Sequence, residues 1–112
     1  MMAAIYTTGT WRVSPEKRAA FLAAWADFAA WASSRPGAGR LMLTNDVKDA
    51  DRYVSFGEWD SEDDSRAWKS TPEFSEGLAR VLQNTDDFEN TELRTLVTAE
   101  AGSSAMTAPV AA

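Results

Sequence analysis

Two hydrophobic patterns alternate along the chain, and the first is typical of strands. β-branched and aromatic residues crowd residues 5–13, IYTTGTWRV, which predicts a strand. Residues 40–46 and 52–59 show the same enrichment, and the polar segment 48–51 between them predicts a hairpin loop. A fourth strand is predicted at residues 92–99, ELRTLVTA.

The second pattern places apolar residues at helical spacing after the first strand. Ser14-Pro15 predicts the start of a helix, because serine is a good N-cap and proline suits the first helical position. Arg35-Pro36-Gly37 predicts its end near Ser34. The predicted apolar arc of this helix consists of Phe21, Leu22, Trp25, Phe28, Ala29 and Ala32.

Two shorter helices are predicted after the third strand. Ser61, with Asp64 three residues later, indicates a capping box at the start of a short helix that carries Trp68. Thr71-Pro72 repeats the earlier start signal and opens the last helix. The buried side of that helix is predicted to hold Phe74, Leu78, Val81 and Leu82.

The element order is therefore β-α-β-β-α-α-β, which predicts an α+β fold. It is the ferredoxin-like, split βαβ arrangement: a four-stranded antiparallel sheet with helices on one face and the first and third strands in the centre. Residues 84–90 are polar and are expected to be a loop. We expect one domain in residues 1–100 and a low-complexity, disordered tail in residues 101–112.

The third strand carries apolar residues on both of its faces. Tyr53 and Trp59 point to one face, whereas Val54 and Phe56 point to the other. Helices on one side of the sheet can cover only one of these faces. The uncovered patch, to which Met42 contributes, predicts a homodimer in which two sheets pack face to face. The alternative is an ordinary surface with scattered apolar residues.

Composition and charge exclude several kinds of chemistry. The 112 residues include no cysteine and no histidine, which excludes thiol nucleophiles, Ser-His-Asp triads and histidine-ligated metal or haem. A net charge of −6 argues against nucleic acid and anionic membranes as partners. Absent cysteines, with no secretory signal or membrane-spanning run, favour the cytoplasm. The acidic clusters at 60–64 and 86–89 lack EF-hand spacing, so no metal site is expected.

A glycine precedes a tryptophan by two residues on both predicted central strands. Gly9 and Trp11 share one face of the first strand, and Gly57 and Trp59 share one face of the third. Two glycines beside two indoles predict a recess for a flat aromatic ligand. The alternative is that the tryptophans are core and the glycines mark bulges or close packing. The predicted ligand-binding residues are Trp11, Trp25, Phe28, Trp68, Phe74, Leu78 and Arg80.

Several local features of the chain resemble one known family. They are a Pro-Gly turn at residues 36–37, a strand ending in F-G-E-W, a serine-led helix carrying a tryptophan, and a P-E-F helix start. Over roughly residues 5–99 the chain resembles the antibiotic biosynthesis monooxygenase (ABM) domain. The resemblance implies a dimeric α+β barrel. Members of this family include cofactor-independent oxygenases of anthrone-type polyketide intermediates, quinol monooxygenases and haem-degrading proteins.

The family's motifs match this chain in part. Haem-degrading members use an Asn on the first strand, a Trp on the second helix and a His ten residues later. Here Trp68 matches the Trp, but Gly9 and Leu78 stand in the other two places. Anthrone oxygenases carry a Trp at the end of the third strand, an Asn four residues earlier and, in some members, a His on the second strand. By this comparison the catalytic candidates are Trp59, which matches, and Ser55 and Asn45, which replace the Asn and the His.

The leading hypothesis from the sequence is a homodimeric, cofactor-independent monooxygenase. Its substrates would be dioxygen and an aromatic polyketide-like phenol, anthrone or quinol, with Trp59, Asn45 and Ser55 as hydrogen-bond donors to the developing oxyanion. No general base is evident, and Glu58 is expected on the face opposite Trp59. One alternative is a non-catalytic or regulatory dimer that binds a small molecule. A further alternative is a haem-binding or haem-degrading protein.

Overall fold

The computed structural model describes residues 4–100 and the backbone of residues 106–107. Its main sheet has four antiparallel strands in the order β2-β3-β1-β4, and three helices cover one face of it. The strands of this sheet are β1 (Ile5–Arg12), β2 (Ala38–Asp46), β3 (Asp49–Trp59) and β4 (Asp87–Arg94), and the helices are α1 (Arg18–Ala32), α2 (Glu62–Lys69) and α3 (Pro72–Leu82).

The sheet order confirms the ferredoxin-like prediction, since β1 and β3 lie side by side in the centre. Side chains alternate along β3 as predicted: Tyr53 and Trp59 are buried beneath the helices, whereas Val54 and Phe56 are partly exposed on the other face. Aromatic and β-branched residues dominate the central strands because they pack well on a pleated surface.

The predicted position of the last strand is wrong. β4 runs over Asp87–Arg94, so it takes in part of the segment expected to be a loop and ends before most of the predicted strand. Phe88 supplies the reason, because its ring stacks on Trp11 with centroids 4.1 Å apart. This contact and the ladder to β1 outweigh the low strand propensity of an acidic segment. Leu96 and Val97, by contrast, are exposed.

Two leucines expected on buried helix faces are exposed instead. Leu22 of α1 and Leu82 of α3 are 37% and 38% exposed.

The two helices meet through Phe28 and Gly77, both of which are buried. A Cβ atom on Gly77 would lie 2.6 Å from Phe28 Cδ1. The missing side chain thus lets α3 approach α1 closely.

The start of the first helix differs in detail from its prediction. Pro15–Lys17 form a 3₁₀ turn before α1, and the Ser14 side chain makes no capping bond. The Asp86 carboxylate holds this turn instead, since it accepts the Ser14 N–H at 2.7 Å and a Lys17 Nζ proton at 2.6 Å. These bonds lower the pKa of Asp86, with Lys17 as the larger cause. Asp86, which directly precedes β4, therefore ties the start of that strand to the turn before α1.

Beyond β4 the chain forms a short ladder, in which β5 (Thr98–Ala99) pairs with β6 (Met106–Thr107). The rest of the predicted tail, 101–105 and 108–112, lies outside the described residues, as do residues 1–3. The domain boundary at residue 100 stays a prediction. Among the described residues, none of the helices has the length and apolarity needed to cross a bilayer.

Both predicted caps of the later helices are present. Ser61 Oγ accepts the Asp64 N–H at 3.1 Å, and Thr71 Oγ1 accepts the Phe74 N–H at 3.2 Å. Each bond satisfies one of the backbone donors that the first turn of a helix leaves without a partner. The caps therefore set where α2 and α3 begin.

The Ser61 cap provides a test of this structure. We expect Ser61→Ala to lower the free energy of unfolding by ~1 kcal/mol, because Asp64 loses its acceptor. Ser75→Ala, at an exposed position within α3, should change the free energy of unfolding by less than ~0.5 kcal/mol. Urea unfolding followed by circular dichroism measures both. Equal effects of the two substitutions would contradict the assigned cap.

Candidate functional site

A cavity of about 180 Å³ lies between the inner face of the sheet and the helices. Its walls are largely aromatic, as expected of a site for a flat apolar ligand. Side chains from β1, β2, β3 and β4 and from all three helices contribute. The principal lining residues are Thr7, Gly9, Trp11, Trp25, Phe28, Leu41, Ser55, Gly57, Trp68, Lys69, Phe74, Leu78, Phe88 and Asn90.

Two glycines of the central strands border the cavity. Gly9 pairs with Ser55 and Gly57 pairs with Thr7, so the two glycines lie diagonally on neighbouring strands. A Cβ atom on Gly9 would lie 2.8 Å from Trp11 Nε1, and one on Gly57 would lie 2.8 Å from Thr7 Oγ1. Neighbouring side chains therefore already fill the space beside each glycine, which is the close packing of the alternative interpretation, although both glycines line the cavity.

Trp11 forms one wall and is fixed on two sides. Its Nε1 donates to Ser55 Oγ at 3.0 Å, and its ring stacks on Phe88. Because Ser55 accepts this bond, its own hydroxyl proton is left to donate. The nearest acceptor within the chain is the Gly9 carbonyl oxygen, at the long distance of 3.5 Å. Ser55 can therefore donate to a ligand without giving up the bond from Trp11.

Trp68 forms another wall and stacks on Trp59, with centroids 4.5 Å apart and ring planes 27° apart. Within residues 4–100, neither indole N–H has a hydrogen-bond partner. Trp59 Nε1 would lie 3.4 Å from a Cβ atom on Gly57, which places it just behind the cavity surface. An unpartnered buried donor is costly, so the N–H group of Trp68, the one of the two that lines the cavity, is a candidate to bind an acceptor on a ligand.

The cavity brings together only part of the predicted catalytic set. Ser55 lines it, whereas the fully buried Trp59 stands behind Trp68. Asn45 lies in the exposed part of the β2–β3 hairpin, where its Nδ2 donates to the carbonyl oxygens of Ala50 and Arg52 at 3.0 and 2.9 Å. Among the predicted ligand-binding residues, Arg80 is exposed on α3 and does not line the cavity, while Trp11, Trp25, Phe28, Trp68, Phe74 and Leu78 line it.

Asn90 lines the cavity and is absent from the sequence-based candidates, because its segment was predicted to be a loop. It pairs with Gly9 across the sheet, and Gly9 pairs on its other side with Ser55. The amide and the hydroxyl thus flank a residue that has no side chain. The period-two spacing of Phe88, Asn90 and Glu92 was the available signal for this strand.

Lys69 is the one ionisable residue among those that line the cavity in the described chain. Its Nζ donates to Glu92 Oε2 at 3.1 Å, and the fully buried Ser65 donates to the same oxygen at 2.9 Å. Burial raises the pKa of Glu92, but the bonds from Ser65 and Lys69 outweigh it, so the pKa lies below the usual range. The Glu92 carboxylate is therefore ionised near neutral pH.

Glu58, the remaining carboxylate considered as a base, faces away from the cavity. The Tyr6 hydroxyl donates to Glu58 Oε2 at 2.7 Å on the outer face of the sheet. This hydrogen bond is the main reason that the pKa of Tyr6 lies above its usual range. In the predicted acidic clusters, the Asp64 carboxylate accepts the hydroxyl proton of the cap residue Ser61, and Asp86 binds Lys17. The described residues hold no group of three or more metal-ligating side chains.

Comparison with known proteins decides the family. The family model for antibiotic biosynthesis monooxygenase matches residues 4–80. The chain belongs to the ABM family. No curated protein matches it by sequence.

Solved structures share the ABM fold at low sequence identity. SnoaB, a cofactor-independent oxygenase from Streptomyces nogalater, is 20% identical with a TM-score of 0.71, covering 88% of this chain and 94% of its own. A conserved protein from Methanosarcina mazei is 18% identical with a TM-score of 0.77, covering 83% and 93%. A candidate ABM protein from Chloroflexus aurantiacus is 25% identical with a TM-score of 0.70, covering 89% and 100%.

The Glu92 cluster predicts a defined pH dependence of stability. Because the pKa of Glu92 is lower in the folded state, its contribution is complete above the unfolded value of roughly 4.3 and is lost as the pH falls through the folded pKa. Glu92→Gln should therefore melt at a lower temperature than wild type at pH 7, and the difference should shrink towards pH 3. Thermal unfolding followed by circular dichroism measures this difference.

The matched control is Glu76→Gln, which removes the same charge from the exposed side of α3, where the described residues provide no ion pair. It should leave the pH dependence of melting close to that of wild type. A Glu92→Gln difference that stays constant or grows on acidification would show that the carboxylate is not held as described.

Proposed function

We propose that this ABM-family chain is a cofactor-independent monooxygenase that oxygenates an aromatic polyketide-like phenol, anthrone or quinol. The observation that carries the proposal is the cavity, which combines aromatic walls with donors on Ser55, Trp68 and Asn90. The cysteine-free sequence fits the reducing cytoplasm, which is the compartment we propose.

The proposed reaction draws all of its electrons from the substrate. The deprotonated ring adds dioxygen at carbon to form a hydroperoxide, which then loses water and leaves a carbonyl group. One oxygen atom enters the product and the other leaves as water. A substrate CH₂ group and O₂ thus become C=O and H₂O, and no additional reductant is consumed.

The protein would contribute orientation, exclusion of water and stabilisation of charge. The stacked pair of Trp11 and Phe88 and the wall formed by Trp68 and Phe74 would hold the ring in one plane. Hydrogen-bond donors that are already in place stabilise a developing oxyanion more than mobile water does. Ser55 and the unpartnered Trp68 Nε1 are such donors.

A non-catalytic, ligand-binding protein of the same fold is the second candidate. One observation favours it: neither a carboxylate nor a histidine lines the cavity among residues 4–100, so no side chain there is suited to act as a general base. An oxygenase with this cavity needs a substrate that ionises readily. A binding protein has no such requirement.

Dioxygen uptake separates the two candidates. Wild type should consume oxygen with at least one member of a panel of anthrones and hydroquinones, and ¹⁸O₂ should label the product with one atom. Asn90→Ala should lower kcat/KM by roughly tenfold or more, because it removes a donor from the cavity. Gly57→Ala should have a similar effect, because the added methyl group would lie 2.8 Å from Thr7 Oγ1 and would displace a part of the cavity wall.

Asn45→Ala is the matched control, since it removes the same amide from the exposed hairpin. It should keep wild-type activity. Equal losses in Asn45→Ala and Asn90→Ala would favour the site inferred from sequence over the cavity. Binding of panel members without any uptake of oxygen would favour the non-catalytic candidate.

The uncovered face of the sheet supports a homodimer, which we also propose. Met42 and Leu93 are 40% and 48% exposed on this face, and Val54 and Phe56 lie between them on the central strand β3. Burying such a patch in a second copy of the chain would remove apolar area from water. The hydroxyl and carboxylate of the Tyr6–Glu58 pair lie on the same face.

A charge at the centre of this face tests the dimer. Wild type should sediment with twice the mass of one chain, which is 12.2 kDa. Val54→Asp should sediment with the mass of one chain, because a carboxylate buried in the dimer interface would have no partner. Val47→Asp adds the same charge in the hairpin turn, where Val47 is 97% exposed, and should remain dimeric. Sedimentation velocity distinguishes the species, and a monomeric wild type would refute the proposed interface.

A further inference from the structure

The polar groups that line the cavity are rich in hydrogen-bond donors. Trp68 Nε1 can only donate, the Lys69 ammonium can only donate, and Ser55 Oγ already accepts a bond from Trp11. The charged acceptors are missing, because no carboxylate lines the cavity in residues 4–100. A complementary ligand therefore presents acceptors, and it presents negative charge near Lys69.

Lys69 is positioned rather than loosely placed. Glu92 Oε2 holds its Nζ at 3.1 Å, and Ser65 fixes that carboxylate oxygen from the buried side of α2 at 2.9 Å. The lysine lines the cavity and its side chain is 33% exposed, so it lies at the rim. An ammonium has three donors, and Glu92 takes one of them.

The Lys69 ammonium is a positive group in a chain whose net charge is negative. The chain as a whole carries a charge of −6, which disfavours anions at long range. Arg66 lies near Glu92 but forms its own ion pairs with Glu62 and Asp63. Selection of an anion in this protein therefore depends on direct contact with Lys69 inside the rim, where water is partly excluded.

We propose that the cavity selects planar aromatic ligands that carry an ionised acidic group, and that this group binds Lys69 Nζ while the ring lies against Trp68 and Trp11. The inference rests on the proposed function and narrows it, since it makes the substrate an aromatic acid or a phenol acidic enough to ionise near neutral pH. An ionised phenol would also answer the lack of a base in the cavity, because its ring system arrives without its proton, whereas a carboxylate group would serve binding alone.

Two ligands with the same ring system test the role of charge. Isothermal titration calorimetry of wild type with 2-naphthoate and with neutral 2-naphthalenemethanol should give a Kd about tenfold lower for the acid. Lys69→Met keeps an apolar stem and removes the charge, so it should abolish this preference while the alcohol binds within about twofold of wild type. Lys69→Arg should retain the preference.

Lys48→Met is the matched control, because it makes the same change in net charge on the β2–β3 turn, away from the cavity. It should leave both affinities unchanged. An equal loss for both ligands in Lys69→Met would show a merely structural role and overturn the inference. Unchanged binding of the acid in Lys69→Met would overturn it as well.

Glu92→Gln should change the affinity for the acid in the opposite direction from Lys69→Met. Removing the competing carboxylate should strengthen 2-naphthoate binding a few-fold and leave the alcohol unaffected, whereas a structural defect would weaken both. Circular dichroism at the titration temperature confirms that each variant is folded. These measurements need no turnover: acid-selective binding without oxygen uptake removes the proposed oxygenase alone, and oxygen uptake without acid preference removes the present inference alone.

Discussion

The structure depends on a pair of glycines that face a layer of aromatic rings. Protein interiors normally pack without voids, so a hollow next to a core must be held open by neighbours that cannot collapse into it. Here the rings of Trp11 and Trp68 line the same cavity as Gly9 and Gly57, and each ring is held by a stacking partner. We attribute the open cavity to the rigidity of these rings.

Phe28 is the ring through which the helices pack together above the cavity. Phe28 packs against Trp31, Trp68 and Phe74, with centroids 5.6 to 6.0 Å apart, and Gly77 lets α3 approach it. The same α2 that brings Trp68 to the wall brings Lys69 to the rim, where Glu92 of β4 holds it. The position of α2, whose start is set by the Ser61 cap, therefore places both the aromatic wall at Trp68 and the charge at Lys69.

The sequence was informative where local physics decides the outcome. Caps at Ser61 and Thr71, the alternation on β3 and the paired glycines follow from short-range rules, and all of them are present. It was uninformative where a distant contact decides, as for β4, which a single ring at position 88 secures against its acidic composition. That error hid Asn90, which stood in the segment predicted to be a loop. Trp59 shows the limit of motif matching, because its match gives no sign that another indole separates it from the cavity.

A glycine in the wall of a cavity has an evolutionary corollary. The smallest change open to a glycine codon, gain of one methyl group, would place a carbon atom of residue 57 at 2.8 Å from Thr7 Oγ1, so a part of the cavity wall would have to shift. The caps and the outer face of the sheet would stay as they are. We therefore expect lineages that keep this cavity to keep glycine at this position.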